Sequence, residues 1–316
     1  MVTKRHLWAL HQFLRATGFF ALALIGGVAS QAAFPEENIT DGKIDAITAS
    51  IIDESATPLP EQKILALTNI GTRLNDESIR ALERYILSPR PESISAEKWY
   101  WIVNDIMQAL CRQETPAVGF VDALFKIYDD PEQPATLRDY ALQHMALLHT
   151  PLPGSLTTLD KANSGRILRA ILTIAKSGRN QFCATALSGL ANIVTAQNYL
   201  RAQIADPFIP NMISTTQICD IAATIAEDEQ ALPENRTTAI SVCTQFNRAV
   251  SLKAVRGLAQ DTSMPYALRA AAVYHIGHFG SKDEVNWLSQ IATSKEFPIN
   301  RAAVSAVKKL KSKHAL

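Results

Sequence analysis

Two histidines three residues apart, His275 and His278, come nearest in this chain to the spacing of a metal or ligand site. They lie in the apolar run LRAAAVYHIGHFGSKDEVNWL. Imidazole nitrogens at i and i+3 of a helix can share a metal ion, but a zinc site needs further carboxylate, thiolate or imidazole ligands. No such residue at a suitable spacing completes the set. We therefore predict no metal site and expect His275 to be structural and His278 to lie on an exposed face.

Motifs that would identify an enzyme are missing from the sequence. The tetrapeptide HIGH is similar to a nucleotide-binding motif of some synthetases, but that motif begins a helix of a parallel α/β fold, which this chain does not predict. The sequence contains no G-x-S-x-G, H-E-x-x-H or C-x-x-C motif and no phosphate-binding glycine loop. We predict no catalytic residues and no cofactor.

The first 32 residues have the composition of an export signal. Three basic residues precede the apolar run FFALALIGGVA, which is short for a hydrocarbon core about 30 Å thick. Cleavage after Ala32 would leave Ser30 and Ala32 at the two small-residue positions. We expect residues 1–32 to be a cleaved signal peptide, 33–42 a short linker and 43–316 the folded part of a periplasmic or secreted protein. An uncleaved N-terminal anchor is the alternative.

The charge of the chain argues against a nucleic-acid partner. Hydrophobic residues make up 47% of the sequence and charged residues 19%, as in a folded protein. Three of the 31 Lys and Arg lie in the signal, which leaves 28 against 30 Asp and Glu, a net charge of −2. The basic tail KKLKSKHAL is explained by a solvated helix end. No basic stripe of the kind that binds nucleic acid is present.

Apolar residues recur at helical spacing from Gly42 to the C-terminus, and no segment alternates as a strand would. Five segments align with LRAAAVYHIGHF, and they are QKILALTNIGTR, LRDYALQHMALL, FCATALSGLANI, NRTTAISVCTQF and INRAAVSAVKKL. Their register places an arginine column at Arg138, Arg236 and Arg269, with Cys183 and Asn300 at the equivalent positions.

Each aligned segment follows another amphipathic helix. The pattern predicts an all-α fold, an α-solenoid superhelix of about seven stacked antiparallel helix pairs. The pairs are expected to start near residues 43, 76, 116, 163, 214, 249 and 283, and the pair near 76–113 is expected to be the least regular.

The run from Leu268 to Leu288 resembles the short HEAT-like repeat named after the phycobiliprotein chromophore lyases. In that family the second helix reads roughly V-R-x-A-A-A-x-A-L-G-x-L-G, and the next first helix carries V-x-x-L. The matching residues are Leu268, Arg269, Ala271, Ala272, Ile276, Gly277, Phe279, Gly280, Val285 and Leu288. Ser281 replaces a usual aspartate and His275 a usual alanine. The resemblance implies stacked helix pairs, with Gly277 and Gly280 ending the helix, but little about function.

The candidate binding residues follow from this architecture. Second helices line the inner surface of such a solenoid, so we expect Gln143, Ser241, Tyr274 and His278 to point there. Trp101 shares a helix face with Asn104, Asp105 and Gln108 rather than with the apolar stripe. An aromatic ring on a polar face is either covered by a neighbouring repeat or offered to a protein partner.

The hairpin geometry singles out one pair of cysteines. If the fifth pair turns near residue 230, antiparallel partners have numbers summing to about 460, and Cys219 and Cys243 sum to 462. An oxidising compartment would allow a disulfide between them if their side chains converge. Cys111 and Cys183 belong to different pairs and are expected to be buried thiols.

These observations favour an exported, non-enzymatic scaffold that binds another protein in the cell envelope or outside the cell, with no membrane span once the signal is removed. Two alternatives remain open. One is an enzyme resembling the chromophore lyases, which the resemblance implies. The other is a membrane-tethered assembly factor, if the N-terminal segment is retained.

Overall fold

The computed structural model describes residues 43–53, 59–114, 119–150, 159–203 and 213–314. Within these ranges it contains fourteen α-helices and no strand. In chain order the helices are α1 Ala46–Ile52, α2 Pro60–Thr68, α3 Asp76–Ile86, α4 Ala96–Cys111, α5 Phe120–Asp129, α6 Ala135–His149, α7 Lys161–Ala175, α8 Cys183–Gln203, α9 Thr215–Glu227, α10 Pro233–Gln245, α11 Leu252–Gln260, α12 Tyr266–Phe279, α13 Glu284–Ala292 and α14 Ile299–Lys313.

The fourteen helices pack as seven consecutive pairs, each made of an odd-numbered first helix and an even-numbered second helix. Each second helix also packs against the second helix of the next pair, from α2 through to α14. The second helices therefore form one continuous layer, as expected for an α-solenoid. The predicted all-α fold of about seven stacked pairs is confirmed, and every pair begins within a few residues of its predicted start.

Five of the first helices and five of the second helices begin with different kinds of residue. Side chains of Asp, Asn or Ser accept a backbone hydrogen bond at the start of five first helices; these N-caps are Asp45, Asn75, Asp160, Ser214 and Ser251. Such caps satisfy amide groups that lack a partner inside the helix. Proline instead stands at the start of five second helices, at positions 60, 134, 233, 265 and 298. Proline suits this place because the first turn needs no amide donor.

One hydrogen bond recurs between the two helices of a pair. The side chain near the start of the second helix donates to a carbonyl at or near the C-terminal end of the first helix. The arginine bonds are Arg138 Nε to Tyr128 (2.8 Å), Arg236 Nε to Ala226 (3.2 Å) and Arg269 Nε to Ala259 (3.3 Å). Lys63, Cys183 and Asn300 donate in the same way to Ile51, Ala175 and Ser294. We call these six residues the capping column.

The capping column explains why the arginine recurs in the sequence. The last carbonyls of a helix have no partner within it, and a cation is favourable beside the negative end of the helix dipole. Arg236 and Arg269 are both only 6% exposed, so each bond is shielded from water. Among the described residues, no such hydrogen bond joins the two helices of the second pair. This agrees with the prediction that this pair is the least regular.

Neighbouring second helices approach closely along a seam of small residues. A Cβ atom on Gly277 would lie 2.6 Å from Ala306 Cα, and one on Gly189 would lie 2.6 Å from Ala146 Cβ. The prediction that Gly277 ends its helix is therefore wrong. Gly277 lies within α12 and lets α14 approach, whereas Gly280 is the residue at the C-terminal cap.

Several predictions concern residues that the structure does not describe. The export signal, its cleavage after Ala32 and the linker up to residue 42 lie outside the described residues. All described residues belong to one compact unit, Asp41–Leu316. No helix among them is long and apolar enough to cross a membrane.

The capping column predicts a specific loss of stability. Replacing Arg236 by Met leaves the buried Ala226 carbonyl without a donor, so we expect the free energy of unfolding to fall by about 2 kcal/mol. Arg236→Lys keeps a donor, as Lys63 does in the first pair, and should lose less. Urea unfolding followed by circular dichroism measures both. Arg179→Met, at an exposed site, is the control, and equal stability of the two Met variants would contradict the role of the bond.

Candidate functional site

The predicted binding residues all lie on second helices, and we call the solvent-accessible side of these helices the second-helix face. Gln143 of α6 and Ser241 of α10 are exposed, and Tyr274 of α12 is 44% exposed. Gln143 donates to Asp139, and the Ser241 hydroxyl donates to the Thr237 carbonyl. These side chains are at the surface and offer amide, hydroxyl and aromatic groups to a partner.

His278 is partly buried rather than fully exposed. Its ring lies 4.8 Å from the ring of Tyr274, and the Lys309 ammonium of α14 lies 2.7 Å from its Nε2. Burial and the neighbouring Lys309 charge lower its pKa. Lys313 donates to the carbonyls of His278 and Gly280 at the end of α12. This end of the second-helix face is therefore aromatic and basic.

Trp101 lies on the second-helix face near the other end, on α4, and is 36% exposed. The four apolar residues that follow the helical period from Trp99 are fully or almost fully buried, so they form the face that packs inside. The neighbouring repeats leave more than a third of the Trp101 side chain uncovered. Of the two interpretations open from the sequence, the exposure favours a ring that is available to a partner.

His275 is fully buried and joins two adjacent pairs. Its Nε2 accepts the Val250 amide at 3.1 Å, so its Nδ1 carries the proton and donates to Thr244 Oγ1 at 2.7 Å. Burial is the main cause that lowers its pKa to about 4, and the charge of His278 adds to it. This bonding agrees with the structural role expected for His275. Thr244 of α10 lies opposite His275 of α12 in the seam between second helices. Other pairs have small residues at this place in the seam.

His144 occupies the same column and takes part in a different network. Its Nδ1 lies 3.6 Å from Cys111 Sγ, and its Nε2 lies 3.2 Å from Asn104 Oδ1. Thiol, imidazole and amide in this order match the catalytic set of papain-like proteases. Here His144 is only 5% exposed, and burial lowers its pKa to about 4 and raises that of the Cys111 thiol. A neutral thiol–imidazole pair supplies no thiolate nucleophile.

The network of His144 ends at a carboxylate on the second-helix face. The Asn104 amide nitrogen donates to Asp105 Oδ1 at 3.3 Å, and Asp105 lies four residues after Trp101 on the same side of α4. Asp105 is half-buried, and burial is the main cause that raises its pKa; the charge of Arg112 acts in the opposite direction. No described Lys, Arg or His lies within salt-bridge distance of this carboxylate.

A second carboxylate, Asp139 of α6, has a similar environment. It accepts hydrogen bonds from the Thr185 hydroxyl of α8 at 2.6 Å and from the Gln143 amide at 2.8 Å. Both donors are neutral, and burial is the main cause that raises the Asp139 pKa. Burial first, and then the charges of Asp139 and Asp105, raise the pKa of Tyr140 to about 12. The sequence analysis did not identify Asp139 as a half-buried acid.

The predicted disulfide pair lies together across the hairpin of α9 and α10. Both cysteines are buried thiols, and Cys243 Sγ lies 3.9 Å from the Cys219 carbonyl oxygen. Their proximity agrees with the antiparallel geometry expected from their numbers, and the bond itself stays a prediction. Cys183 is buried and Cys111 is partly exposed. Within the described ranges, no group of three or more His, Cys, Asp and Glu residues could hold a metal ion.

The buried histidines predict acid sensitivity. The folded-state pKa of His275 is about 4, below the usual 6.5, so the unfolded chain binds more protons between these values. Stability should therefore fall as the pH falls from 6.5 to 4, by on the order of 3 kcal/mol for one such group. His275→Gln can keep both hydrogen bonds without titrating, so its loss over this window should be smaller. Thermal melts at several pH values test this, with the exposed His314→Gln as control; equal losses in all three proteins would contradict it.

Thiol alkylation tests whether Cys111 is an activated nucleophile. Because burial raises the pKa of Cys111, Cys183 and Cys243, iodoacetamide at pH 8 should modify these thiols far more slowly in the folded protein than in guanidinium. Peptide mass spectrometry gives the rate at each site. Rapid modification confined to Cys111 in the folded protein would instead indicate that Cys111 is an activated nucleophile.

Peptide mass spectrometry of the alkylated protein also tests the disulfide between Cys219 and Cys243. If Cys219 and Cys243 are joined in protein purified from an oxidising compartment, both should resist alkylation in guanidinium until a reductant is added. Cys111 and Cys183 are the internal controls, since both should react in guanidinium without reductant. Alkylation of all four thiols before reduction would show that the disulfide is absent.

Comparison of the chain with protein-family models and with curated proteins finds no match. The HEAT-like family therefore stays a prediction from the run between Leu268 and Leu288, whereas the seven helix pairs are observed.

Proposed function

We propose that the chain is an exported, non-enzymatic HEAT-like scaffold that binds another protein in the cell envelope or outside the cell through its second-helix face. The observation that carries the proposal is the continuous layer of second helices from α2 to α14. Each pair adds side chains to one long surface, and stacked repeats commonly bind partners through such surfaces. The N-terminal sequence supports export.

The side chains of the second-helix face support a protein partner. Trp101 and Tyr274 are large aromatic residues that remain exposed on it, and tryptophan and tyrosine are frequent in the energetic centres of protein interfaces. Gln143 and Ser241 add hydrogen-bonding groups between them along the layer. The Cys111–His144 pair, which comes nearest to catalytic machinery, is held in its neutral form by burial, so binding explains the surface better than catalysis does.

Site-specific photo-crosslinking in the producing cell tests the proposal. A benzophenone amino acid at Gln143 or Ser241 should capture one defined envelope or extracellular protein, because both positions lie exposed on the second-helix face. The matched controls carry it at Thr173 of α7 or Lys253 of α11, which are exposed on first helices. Equal capture from all four positions, or none from any, would contradict a binding role for this face.

The same captured chain tests export. N-terminal sequencing of a C-terminally tagged protein should give a start near Ala33 if the signal is cleaved. A start at Met1 in the membrane fraction would instead support the membrane-tethered alternative.

Trp101 provides a test at the level of one side chain. Because its ring is partly exposed and outside the buried stripe, Trp101→Ala should reduce partner capture severalfold and leave the melting temperature nearly unchanged. Phe297→Ala removes a ring that is 62% exposed in the loop before α14, outside the second helices, and serves as the control. A large loss of melting temperature with capture intact would show that the Trp101 ring serves packing instead.

A further inference from the structure

Three kinds of contact join each helix pair to the next. The glycine contacts described above lie between pairs three and four and between pairs six and seven. The neutral side-chain amides of Gln113 and Asn235 join pairs one and two and pairs four and five. Buried histidines stand at the two remaining seams, His144 between pairs two and three and His275 between pairs five and six. These two histidine seams depend on a ring that can take up a proton in acid.

His275 fits its seam only as a neutral ring. The Thr244 hydroxyl donates to the Ile240 carbonyl at 2.8 Å, so its oxygen accepts the proton of the ring Nδ1. The other ring nitrogen, Nε2, accepts the Val250 amide at 3.1 Å. A second proton on the ring would point at the Val250 amide hydrogen. It would break the bond that ties the segment between α10 and α11 to α12.

His144 has the same position in its helix and also has only neutral partners. The Asn104 amide nitrogen donates to Asp105, so the Asn104 amide oxygen, 3.2 Å from the ring Nε2, accepts the proton of the ring. The ring Nδ1 lies 3.6 Å from Cys111 Sγ, and burial raises the pKa of that thiol, which keeps it neutral. A charged ring at this place would be only 5% exposed, between an amide and a thiol, which is unfavourable.

Salt bridges reinforce other contacts between pairs, but not these two seams. Five salt bridges connect neighbouring pairs: Lys98–Glu61 and Arg73–Glu114 between pairs one and two, Arg166–Asp122 between pairs three and four, and Arg256–Glu284 and Arg269–Glu296 between pairs six and seven. Pairs four and five share three hydrogen bonds of Asn235 instead. In the described ranges, no salt bridge crosses either histidine seam. The seams thus separate three blocks, which are pairs one and two, pairs three to five, and pairs six and seven.

The charged groups around His275 do not favour a protonated ring. His278, three residues later on α12, contacts the Lys309 ammonium of α14, so positive charge lies on that side. Arg256 of α11 pairs with a glutamate of α13, and Arg236 of α10 belongs to the capping column. No described carboxylate forms a hydrogen bond or a salt bridge with His275. A proton on this ring would therefore lack a counterion.

The charged groups around His144 are engaged elsewhere. Asp105 of α4 accepts from the Asn104 amide, and Asp139 of α6 accepts from a hydroxyl of α8 and an amide of its own helix. Asp122 of α5 pairs with an arginine of α7. The described contacts of the His144 ring include no carboxylate. Protonation of His144 would therefore add an uncompensated charge to its seam as well.

His149 is a third buried imidazole, and its bonding is different. It lies at the C-terminal end of α6, where its Nε2 is 3.1 Å from the Ser164 hydroxyl oxygen of α7. Its Nδ1 has no hydrogen-bond partner among the described residues. A proton can bind there without breaking a bond, and positive charge is favourable at this end of a helix. His149 is therefore a matched control for the two seam histidines.

Proton binding favours the open form of each histidine seam. Burial is the main cause that lowers the pKa of His144 and His275 to about 4, and the charge of His278 adds to it for His275. In an open seam each ring would regain its usual pKa of 6.5, so the open form binds more protons between these values. The equilibrium constant for opening should therefore rise roughly 70-fold at each seam between pH 7.5 and pH 4.5.

We infer that His144 and His275 are two acid-sensitive joints, at which protonation separates the stack into its three blocks and divides the second-helix face. The candidate binding residues are distributed over all three blocks. Trp101 lies in the first, Gln143 and Ser241 in the second, and Tyr274 in the third. A partner bound across the blocks would be released as the seams open. This inference rests on the proposed scaffold function and names how its binding is regulated.

Hydrogen exchange of the full chain, followed by mass spectrometry, tests the joints. Exchange is measured at pH 7.5 and pH 4.5 and corrected for the intrinsic effect of pH on amide exchange. Protection should fall by tens of fold in peptides from the two seams, residues 102–112 and 240–252. Peptides from α7 and from residues 183–195 of α8, inside the middle block, should stay within about threefold. Equal loss of protection along the whole chain would overturn the inference.

Glutamine variants assign the acid response to each ring. His275→Gln keeps an oxygen for the Val250 amide and a donor for Thr244, but it does not titrate. It should abolish acid-induced exchange at the second seam alone, and His144→Gln at the first seam alone. His149→Gln should leave both responses unchanged. An undiminished response in the two seam variants would overturn the inference.

A measurement on the wild-type chain does not depend on how the variants pack. Carbon-13 labelling of the histidine rings lets nuclear magnetic resonance follow the protonation of each ring in the folded state. His144 and His275 should stay neutral down to pH 5, while the exposed His314 titrates near its usual pKa. Protonation of both seam rings above pH 6 in the folded chain would contradict the inference.

Partner capture separates this inference from the scaffold proposal. Photo-crosslinking from Gln143 is repeated on cells resuspended at pH 7.5 and at pH 4.5. Capture should fall at least tenfold in acid with the wild-type chain and should persist when both His144→Gln and His275→Gln are present. Equal wild-type capture at the two pH values would overturn the acid-release inference and leave the scaffold proposal standing. No capture at either pH would count against the scaffold itself.

Discussion

The hydrogen bond from the capping column to the end of the first helix is the interaction on which the rest of this structure depends. A helix ends with carbonyl groups that have no partner within it, and six of the seven pairs supply a donor from the second helix. Because the donor is always near the start of the second helix, the bond also sets how the two helices of a pair meet. The six pairs that have the bond then present their apolar faces in the same way, which helps the pairs to stack into one continuous core.

The seam between second helices follows from that stacking. Where both sides are small, as at Gly277 and Ala306, the helices approach closely. Where a histidine enters the seam, the adjacent second helix supplies polar groups, as Thr244 does for His275. The space and the bonds permit only a neutral ring, since Val250 donates to one nitrogen and the other donates to Thr244. The pair of histidines that first suggested a ligand site is thus divided between a buried bridge and a partly buried surface residue.

The second-helix face has chemistry that the stacking does not require. Asp105 and Asp139 are half-buried and lack a described ion-pair partner, although the molecule pairs other acids with arginine, for example Asp122 with Arg166 and Asp220 with Arg248. Asp105 and Asp139 therefore differ in their environment from the acids that are paired at the surface of the same molecule.

The sequence by itself determined the helices, their number and the register of the repeat, because helical periodicity and the arginine column are local patterns that recur along the chain. It also identified Trp101 as a tryptophan outside the apolar stripe. Only the tertiary structure decided that Gly277 serves close approach rather than a helix end, since its neighbour Ala306 is on another pair. It alone showed that Asp105 and Asp139 are half-buried and form no salt bridge with a described residue. The burial of a carboxylate and its lack of an ion-pair partner depend on neighbouring helices that are distant in sequence.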